Sequence, residues 1–301
     1  MTTVRLLSRL FRPFFLFGVA VLYALGAGIA RYLGTQLDWG VYLLGQAWVT
    51  LLQVGSQLLY DYFTNVPQIG DPARSVLTLP GEPSRPGKIH RVAALWWSYA
   101  CLTVVASLAV LFIRFIHTTP GLFLVMGLMF LGAVLYSVPP IRLAFSGYGE
   151  LTLAVLVTNL VPAFAFQLQA DLPLRLVAMS TFPLTALFLA MLLILELNSY
   201  AGDLKYDRRT LMLRIGWPNG ILAHNLLILT GYLFLTLAIT FGLPWRIGLP
   251  GLLTLPLGLL QVWMVNRVAA GAKPQWRSLT MTAITLLGLL VYFLLFLYWV
   301  S

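Results

Sequence analysis

Apolar segments of about twenty residues recur along the whole chain, and they constrain the fold more than any other feature of the sequence. An α-helix needs about 20 apolar residues to cross the hydrocarbon core of a bilayer. Backbone polar groups find no water there, so repeated segments of this length predict helices rather than strands. Only 9% of the 301 residues are charged, whereas soluble domains carry about 25%. The sequence therefore predicts an all-α membrane protein.

The apolar segments predict nine spanning helices that form a single domain. We place the spans at 14–32, 41–63, 92–115, 120–137, 148–169, 176–199, 218–241, 247–266 and 279–300. Basic residues precede the first span without a small-residue cleavage site, so this span is predicted to be retained. Asp61 and Asp203 each end the second helix of a four-helix block. This spacing suggests two pseudo-repeats, at 14–137 and 148–266, followed by a final helix at 279–300.

The basic residues are concentrated on one side of the predicted membrane. A net charge of +10 could indicate nucleic-acid binding, but fifteen of the nineteen Lys and Arg residues fall in alternate loops, on the side of the N-terminus. Cytoplasmic loops of membrane proteins carry such an excess. We therefore predict a cytoplasmic N-terminus in a multi-pass protein of the cytoplasmic membrane, and no nucleic-acid partner is needed to explain the charge.

Two predicted helices end in a polar face that carries carboxylates. Seven of the nine acidic residues lie at or near the predicted cytoplasmic face, although acidic residues contribute little to topology. At about 100° per residue, two sets of side chains each share one helix face. The first set is Gln53, Gln57, Asp61 and Thr64, and the second is Glu196, Ser199, Asp203 and Asp207. Carboxylates at this depth usually face a wet cavity or a partner.

Basic residues follow each polar helix end. They are Arg74, Arg85, Lys88 and Arg91 after the first, and Arg208, Arg209 and Arg214 after the second. Mg²⁺ takes one or two carboxylates, keeps several waters and bridges phosphate oxygens, while Arg can bind phosphate bidentately. The combination suits a diphosphate bound with Mg²⁺ at the cytoplasmic side. The same charges are also compatible with a solvated surface or with simple ion pairs.

Four segments resemble motifs of the UbiA superfamily of intramembrane aromatic prenyltransferases. The strongest match is RTLMLRIG at 209–216, which resembles the family segment K-R-T-L-x-x-R-L-G. ELNSYAGD at 196–203 resembles the pattern E-x-P-D-Y-x-x-D of some members. YSVPPIR at 136–142, followed by GYGE at 147–150, is similar to Y-S/T-x-P-P-x-K/R…G-x-G-E. The segment 53–71 resembles the N-D-Y-F-D segment of menaquinone-type members more loosely.

The resemblance implies a nine-helix fold around a central cavity, similar to menaquinone-type and chlorophyll-synthase-type members. It implies that Mg²⁺, held by acidic motifs on helices 2 and 6, binds a polyprenyl diphosphate. An aromatic or tetrapyrrole acceptor would capture the allylic cation, in quinone, chlorophyll or related lipid biosynthesis. Membrane lipids and subunits of a membrane complex are further expected partners.

Individual roles follow from the same resemblance. Asp61 and Asp203 would be the catalytic metal ligands. Further candidate ligands are Asp71, Asp207, Gln57 and Glu196. The residues expected to bind or flank the diphosphate are Arg85, Lys88, Arg208, Arg209, Tyr136 and Arg142.

The chain departs from the family motifs at two acidic positions. Thr64 and Ser199 stand where members of the family carry Asp, which leaves one firm acid in each motif. The affinity of oxygen sites for divalent cations follows the charge of the ligands. This departure favours an alternative in which a catalytically impaired protein with the same fold binds a lipid, quinone or pigment as a subunit of a membrane complex. A transporter is a third class, but the spans lack matching breaks at mid-membrane.

Overall fold

The computed structural model describes residues 13–63, 88–115, 119–205 and 209–301, and this part of the chain contains helices and short connections without a strand. The helices are α1 (Pro13–Tyr32), α2 (Trp39–Phe63), α3 (Lys88–Phe115), α4 (Pro120–Ser137), α5 (Gly149–Gln169), α6 (Arg175–Lys205), α7 (Leu211–Ile215), α8 (Trp217–Thr240), α9 (Trp245–Leu252), α10 (Leu255–Ala269) and α11 (Trp276–Val300). The all-helical class predicted from the sequence is confirmed.

Eight helical segments within the described ranges are long and apolar enough to cross a membrane: α1, α3, α4, α5, α6, α8, α9 together with α10, and α11. Helix α2 has 25 residues but falls outside this set, because Gln46, Gln53, Gln57 and Asp61 make it less apolar. The structure therefore has a multi-pass helical architecture. The count of nine spans, the side of the N-terminus and the two pseudo-repeats stay predictions.

Two predicted spans are less regular than their hydropathy suggests. The eighth divides into α9 and α10. Pro250 lies inside α9, and Pro256 lies in the first turn of α10. A first-turn N–H has no acceptor within the helix, so Pro256 costs no helical hydrogen bond. Helix α5 contains a π-helical turn at Leu156–Leu160. In this turn Asn159 Nδ2 donates to Thr185 Oγ1 of α6 over 2.6 Å. The inserted turn thus brings a polar side chain onto the neighbouring helix.

Helix packing closes the chain into one bundle with α5 and α6 at its centre. Helix α6 contacts α5, α8 and α11, while α11 also packs against α1. The second half of α5 contacts α1, α2 and α4, and α2 packs against α3. Of the apolar windows, 72% of that in α6 is buried but only 17% of that in α3. Helix α6 is therefore an interior element that can carry polar groups away from lipid.

The outer surface of the bundle is apolar, as expected where lipid is the solvent. Large apolar side chains such as Leu253, Trp96 and Phe17 are exposed by 72%, 69% and 68%. The interior holds aromatic side chains instead, and buried Trp48 donates its Nε1 hydrogen to Val105 O over 3.0 Å. The indole of Trp48 thus has a partner inside the protein, which hydrocarbon cannot provide.

Gly26 permits the close approach of α1 to α5. A Cβ placed on Gly26 would lie 2.1 Å from the carbonyl oxygen of Pro162, which is backbone and cannot move aside. Small residues at such points let transmembrane helices pack closely. The contact between α1 and α5 also fixes one wall of the cavity described below.

We expect Gly26→Ala to lower the stability of the bundle by about 1–3 kcal/mol, the usual cost of overpacking. The thermal unfolding midpoint of the purified protein in detergent measures this effect. Gly18→Ala is the matched control, because a Cβ at Gly18 of the same helix would meet no atom within 4 Å. Equal midpoints for the two variants would contradict the proposed packing constraint.

Candidate functional site

Asp61 lies buried at the C-terminal end of α2, with only 2% of its surface exposed. Gln57 stands one turn earlier on the same face, and its Nε2 donates to Asp61 Oδ1 over 3.1 Å. Gln57 therefore orients the Asp61 carboxylate.

A second buried polar group lies near the end of α6. Glu196, Ser199 and Asp203 are each 6% exposed. The Ser199 hydroxyl donates to the Asp203 carboxylate and also lies 3.1 Å from the backbone oxygen of Glu196. Ser199 thus orients the Asp203 carboxylate.

The loop between α4 and α5 contacts the end of α2 through Arg142. Arg142 has a left-handed backbone conformation with φ of 43°, and its Nη2 donates to the backbone oxygen of Phe63. Its guanidinium carbon also lies 5.9 Å from the Phe63 ring centroid and 5.3 Å from that of Phe145. Phe145 stacks on Tyr60 of α2 at 5.5 Å. A carbonyl at a helix C-terminus has no helical donor, and Arg142 supplies one.

The same loop contacts the segment that follows α6. Arg214, at the end of α7, donates through Nη1 to Ser146 O over 3.2 Å. Its guanidinium carbon lies 4.1 Å from the centroid of the Tyr148 ring. The loop therefore contacts the end of α2 on one side and α7 on the other. It brings the acidic ends of α2 and α6 to the same end of the bundle.

Two glutamates hold the short helix α7. Glu150 Oε2 accepts from Leu211 N over 3.2 Å, and Glu196 Oε2 accepts from Met212 N over 3.0 Å. The Thr210 side chain caps the same turn by accepting from Leu213 N. The first N–H groups of a helix lack internal partners and favour negative charge. Glu150 and Glu196 are therefore structural anchors of the segment that carries Arg209 and Arg214.

The structure describes the side chains of some predicted site residues and not of others. Tyr136 is buried at the end of α4, with its ring 6.2 Å from that of Tyr60, and Arg209 is exposed just before α7. Lys88 begins α3, and nothing is described of its side chain. The predicted residues outside the described ranges are Thr64, Asp71, Arg85, Asp207 and Arg208. Within those ranges, no group of three or more His, Cys, Asp or Glu side chains is placed to hold a metal ion.

A partly open cavity of about 90 Å³ adjoins the acidic end of α2. Side chains of α1, α2, α4 and α5 line it, and most of them are apolar. Gln57 lines the cavity and also donates to Asp61. The cavity and the carboxylate are therefore neighbours, and an apolar ligand in the cavity could place a charged end beside Asp61.

The sequence alone does not predict that Glu150 and Glu196 anchor α7. Glu150 lies in a segment that resembles a family motif, and Glu196 shares a helix face with Asp203. Neither feature predicts a contact with α7. The one local signal was Thr210, a preferred N-cap residue two positions before Met212. A buried backbone N–H that needs an acceptor cannot be recognised before the helices are placed in space.

We expect Glu196→Ala to destabilise the protein by about 1–3 kcal/mol, since it leaves the buried Met212 N–H without an acceptor. Thermal unfolding of the purified protein without added metal measures this loss. Asp171→Ala is the control, because Asp171 is an exposed carboxylate in the connection between α5 and α6. If both variants unfold at the wild-type temperature, Glu196 does not anchor α7.

The fold of this chain matches solved protein structures, whereas its sequence matches no known family or curated protein. No family model matches the chain, and no curated protein matches it in sequence. A UbiA homologue from Archaeoglobus fulgidus bound to GPP and Mg²⁺ superposes with a TM-score of 0.65 at 16% identity, covering 98% of this chain and 99% of that chain.

Two further structures of a UbiA homologue from the same organism agree. The one bound to DMAPP and Mg²⁺ gives a TM-score of 0.60 at 15% identity, covering 95% of this chain and 98% of that chain. The one bound to Cd²⁺ gives a TM-score of 0.61 at 15% identity with the same coverage. The resemblance predicted from the sequence motifs is confirmed for the fold, and the chain is a multi-pass membrane protein with the fold of the UbiA homologues.

Proposed function

We propose that this protein is a membrane prenyltransferase that moves an isoprenoid chain from a polyprenyl diphosphate to an aromatic or tetrapyrrole acceptor. The observation that carries the proposal is the arrangement at one end of the bundle. Asp61 and Asp203 are buried near the ends of α2 and α6, the loop between α4 and α5 contacts both the end of α2 and α7, and an apolar cavity adjoins the end of α2. The proposal places this end at the cytoplasmic face of the cytoplasmic membrane, where the charge pattern predicts it.

The structural neighbours support the choice of substrate class. The Archaeoglobus fulgidus homologue has been solved with GPP and with DMAPP, in both cases with Mg²⁺. Both are prenyl diphosphates, and this chain shares the fold of that homologue over nearly its whole length. Fold alone does not determine function, so the proposal rests also on the side chains of this chain.

The donor atoms at the helix ends fit Mg²⁺, which prefers carboxylate oxygens and retained water. Asp61 and Asp203 would hold the ion, with Asp71 and Asp207 as further candidate ligands. Gln57 and Ser199 orient the two carboxylates through hydrogen bonds. Bound Mg²⁺ would neutralise the diphosphate as negative charge develops on it. Glu196 is a weaker candidate, because its Oε2 already accepts from Met212 N.

Basic side chains at the same end would bind the diphosphate. Arg142 has a buried Nε without a hydrogen-bond partner in the described part of the chain, while its Nη2 is fixed on Phe63 O. The contact with Phe63 thus orients the guanidinium and leaves its Nε hydrogen as an unused donor. Arg209 is exposed nearby, and Tyr136 lines the cavity. Lys88, Arg85 and Arg208 complete the proposed set.

The reaction breaks the allylic C–O bond and forms a bond from the acceptor to the same carbon. The bonding electrons leave with the diphosphate, and the acceptor atom loses a proton after the new bond forms. Apolar cavity walls such as Leu52, Met129 and Val157 would keep water from the allylic cation. Quinone, chlorophyll or related lipid biosynthesis supplies acceptors of the required kind.

A second candidate function is a binding subunit with the same fold but without turnover. Ser199 favours it, because a neutral hydroxyl occupies the position of a family acid and donates to Asp203. Such a protein would bind a lipid, quinone or pigment within a membrane complex. The two functions differ in whether Mg²⁺-dependent diphosphate binding exists.

We expect purified protein to bind geranylgeranyl diphosphate only when Mg²⁺ is present. Asp61→Asn and Asp203→Asn should each weaken this binding about tenfold or more, because each removes a charged ligand from a site that has few. Equilibrium binding of radiolabelled diphosphate measures the effect. Asp171→Asn is the control, since this exposed carboxylate lies between α5 and α6, away from the site. Folded wild-type protein that fails to bind would refute the prenyltransferase and favour the binding subunit.

We expect Ser199→Asp to make thermal stability depend more strongly on Mg²⁺ than it does in the wild type. Without the ion, two carboxylates one turn apart repel each other, which lowers the unfolding midpoint. With Mg²⁺, binding to the folded state raises the midpoint, and a second carboxylate strengthens that binding. Ser199→Asn has similar size without the charge and serves as the control. The same response to Mg²⁺ in both variants would count against a metal site at Asp203.

A further inference from the structure

The cavity beside Asp61 has mostly apolar walls and a small polar part on α2. Gln53, Ser56 and Gln57 line it along little more than one turn of that helix, and Tyr136 faces it from α4. Within the described residues, no Lys, Arg, Asp or Glu belongs to the lining. The interior therefore suits an uncharged ligand, apart from any charged end placed beside Asp61.

Gln53 differs from the neighbouring polar residues of α2. Both of its amide atoms, Oε1 and Nε2, are buried without a hydrogen-bond partner in the described part of the chain. Ser56 donates to Ala133 O over 2.8 Å, and Gln57 donates to Asp61. Gln53 thus presents an unused donor and an unused acceptor at the wall of the cavity.

A buried amide without partners is unfavourable, so its presence in this wall requires an explanation. An isoprenoid tail offers no hydrogen-bonding atom, and a leucine would suit such a tail better. A carboxylate deep in the cavity would require a cation that the lining does not provide. A neutral hydroxyl or carbonyl group satisfies the amide without adding charge.

We propose that Gln53 is the residue that recognises the acceptor, and that the acceptor is a lipid-soluble ring compound whose neutral hydroxyl or carbonyl group hydrogen-bonds to this amide. The inference rests on the prenyltransferase function, because it assigns the second substrate of the same site. Gln53 precedes Asp61 by two turns, about 12 Å along the helix axis. A ring anchored at Gln53 presents its opposite edge towards Gln57 and Asp61, where the diphosphate end of the donor would lie.

The test uses the full-length protein in lipid nanodiscs without diphosphate or Mg²⁺. The probes are 4-butylphenol, butylbenzene and 4-butylbenzoate, which share an alkylated ring and differ in the polar group. Their apparent Kd values are obtained from ligand-dependent shifts of the thermal unfolding midpoint. Gln53→Leu removes the amide, and Gln53→Met is a second unbranched variant in case leucine disturbs folding. Gln46→Leu is the matched control, because Gln46 lies on the same helix outside the cavity lining and donates to Thr50.

We expect 4-butylphenol to bind about three- to tenfold more weakly to the Gln53 variants, the range for one neutral hydrogen bond. Its affinity for Gln46→Leu should equal that for the wild type. Butylbenzene should bind the Gln53 variants at least as well as it binds the wild type. Without ligand, Gln53→Leu should unfold at or above the wild-type temperature, because it removes an unpaired buried amide; a purely structural role would lower that temperature.

Three results would overturn the inference. They are equal affinity of 4-butylphenol for the wild type and the Gln53 variants, a preference of the wild type for 4-butylbenzoate, and no binding of 4-butylphenol at all. The proposed function is judged separately, by Mg²⁺-dependent binding of geranylgeranyl diphosphate to the wild type. Absence of diphosphate binding by the wild type would refute the prenyltransferase function. The titration with 4-butylphenol would still decide whether Gln53 recognises a neutral polar group.

Discussion

Hydrocarbon cannot satisfy a polar group, and this constraint determines most of the architecture. It requires helices throughout the spanning region, and it makes each interior carboxylate expensive unless the protein supplies partners. The described carboxylates of the site have donors near one end of the bundle, from the side chains of Gln57 and Ser199 and from the backbone of the short helix α7. Helix α6, the most buried of the apolar spans, can carry three acidic or hydroxylic side chains because none of them faces lipid.

The carboxylates at this end divide into two kinds by what they contact. Glu150 and Glu196 accept backbone N–H groups at the start of α7, so they fix a segment of the chain. Asp61 and Asp203 accept from the side chains of Gln57 and Ser199, each one turn earlier on its own helix. The backbone contacts of Glu150 and Glu196 join the basic segment 209–214 to the helices that carry the acids.

The sequence predicted the helices and the ends at which polar residues gather, because hydropathy and helical spacing are local properties. It did not predict the contacts that assemble the site, which join distant parts of the chain. Arg142 contacts Phe63 across 79 positions, and Glu196 contacts Met212 across 16. The division of the eighth span into α9 and α10 was missed as well, since Pro250 and Pro256 lie in a segment whose average hydropathy still suffices to span the membrane.

The serine at position 199 has a physical consequence in the structure. A second Asp at position 199 would place two negative charges one turn apart in a buried environment, which is unfavourable when no cation is bound. Serine removes that repulsion and donates a hydrogen bond to Asp203 instead. Under the proposed function, the site would tolerate the absence of a metal better than a site with Asp at position 199, at the expense of affinity for the ion. Under the proposed function, the diphosphate must then contribute more of the metal's ligands, so Mg²⁺ would bind together with the substrate rather than before it.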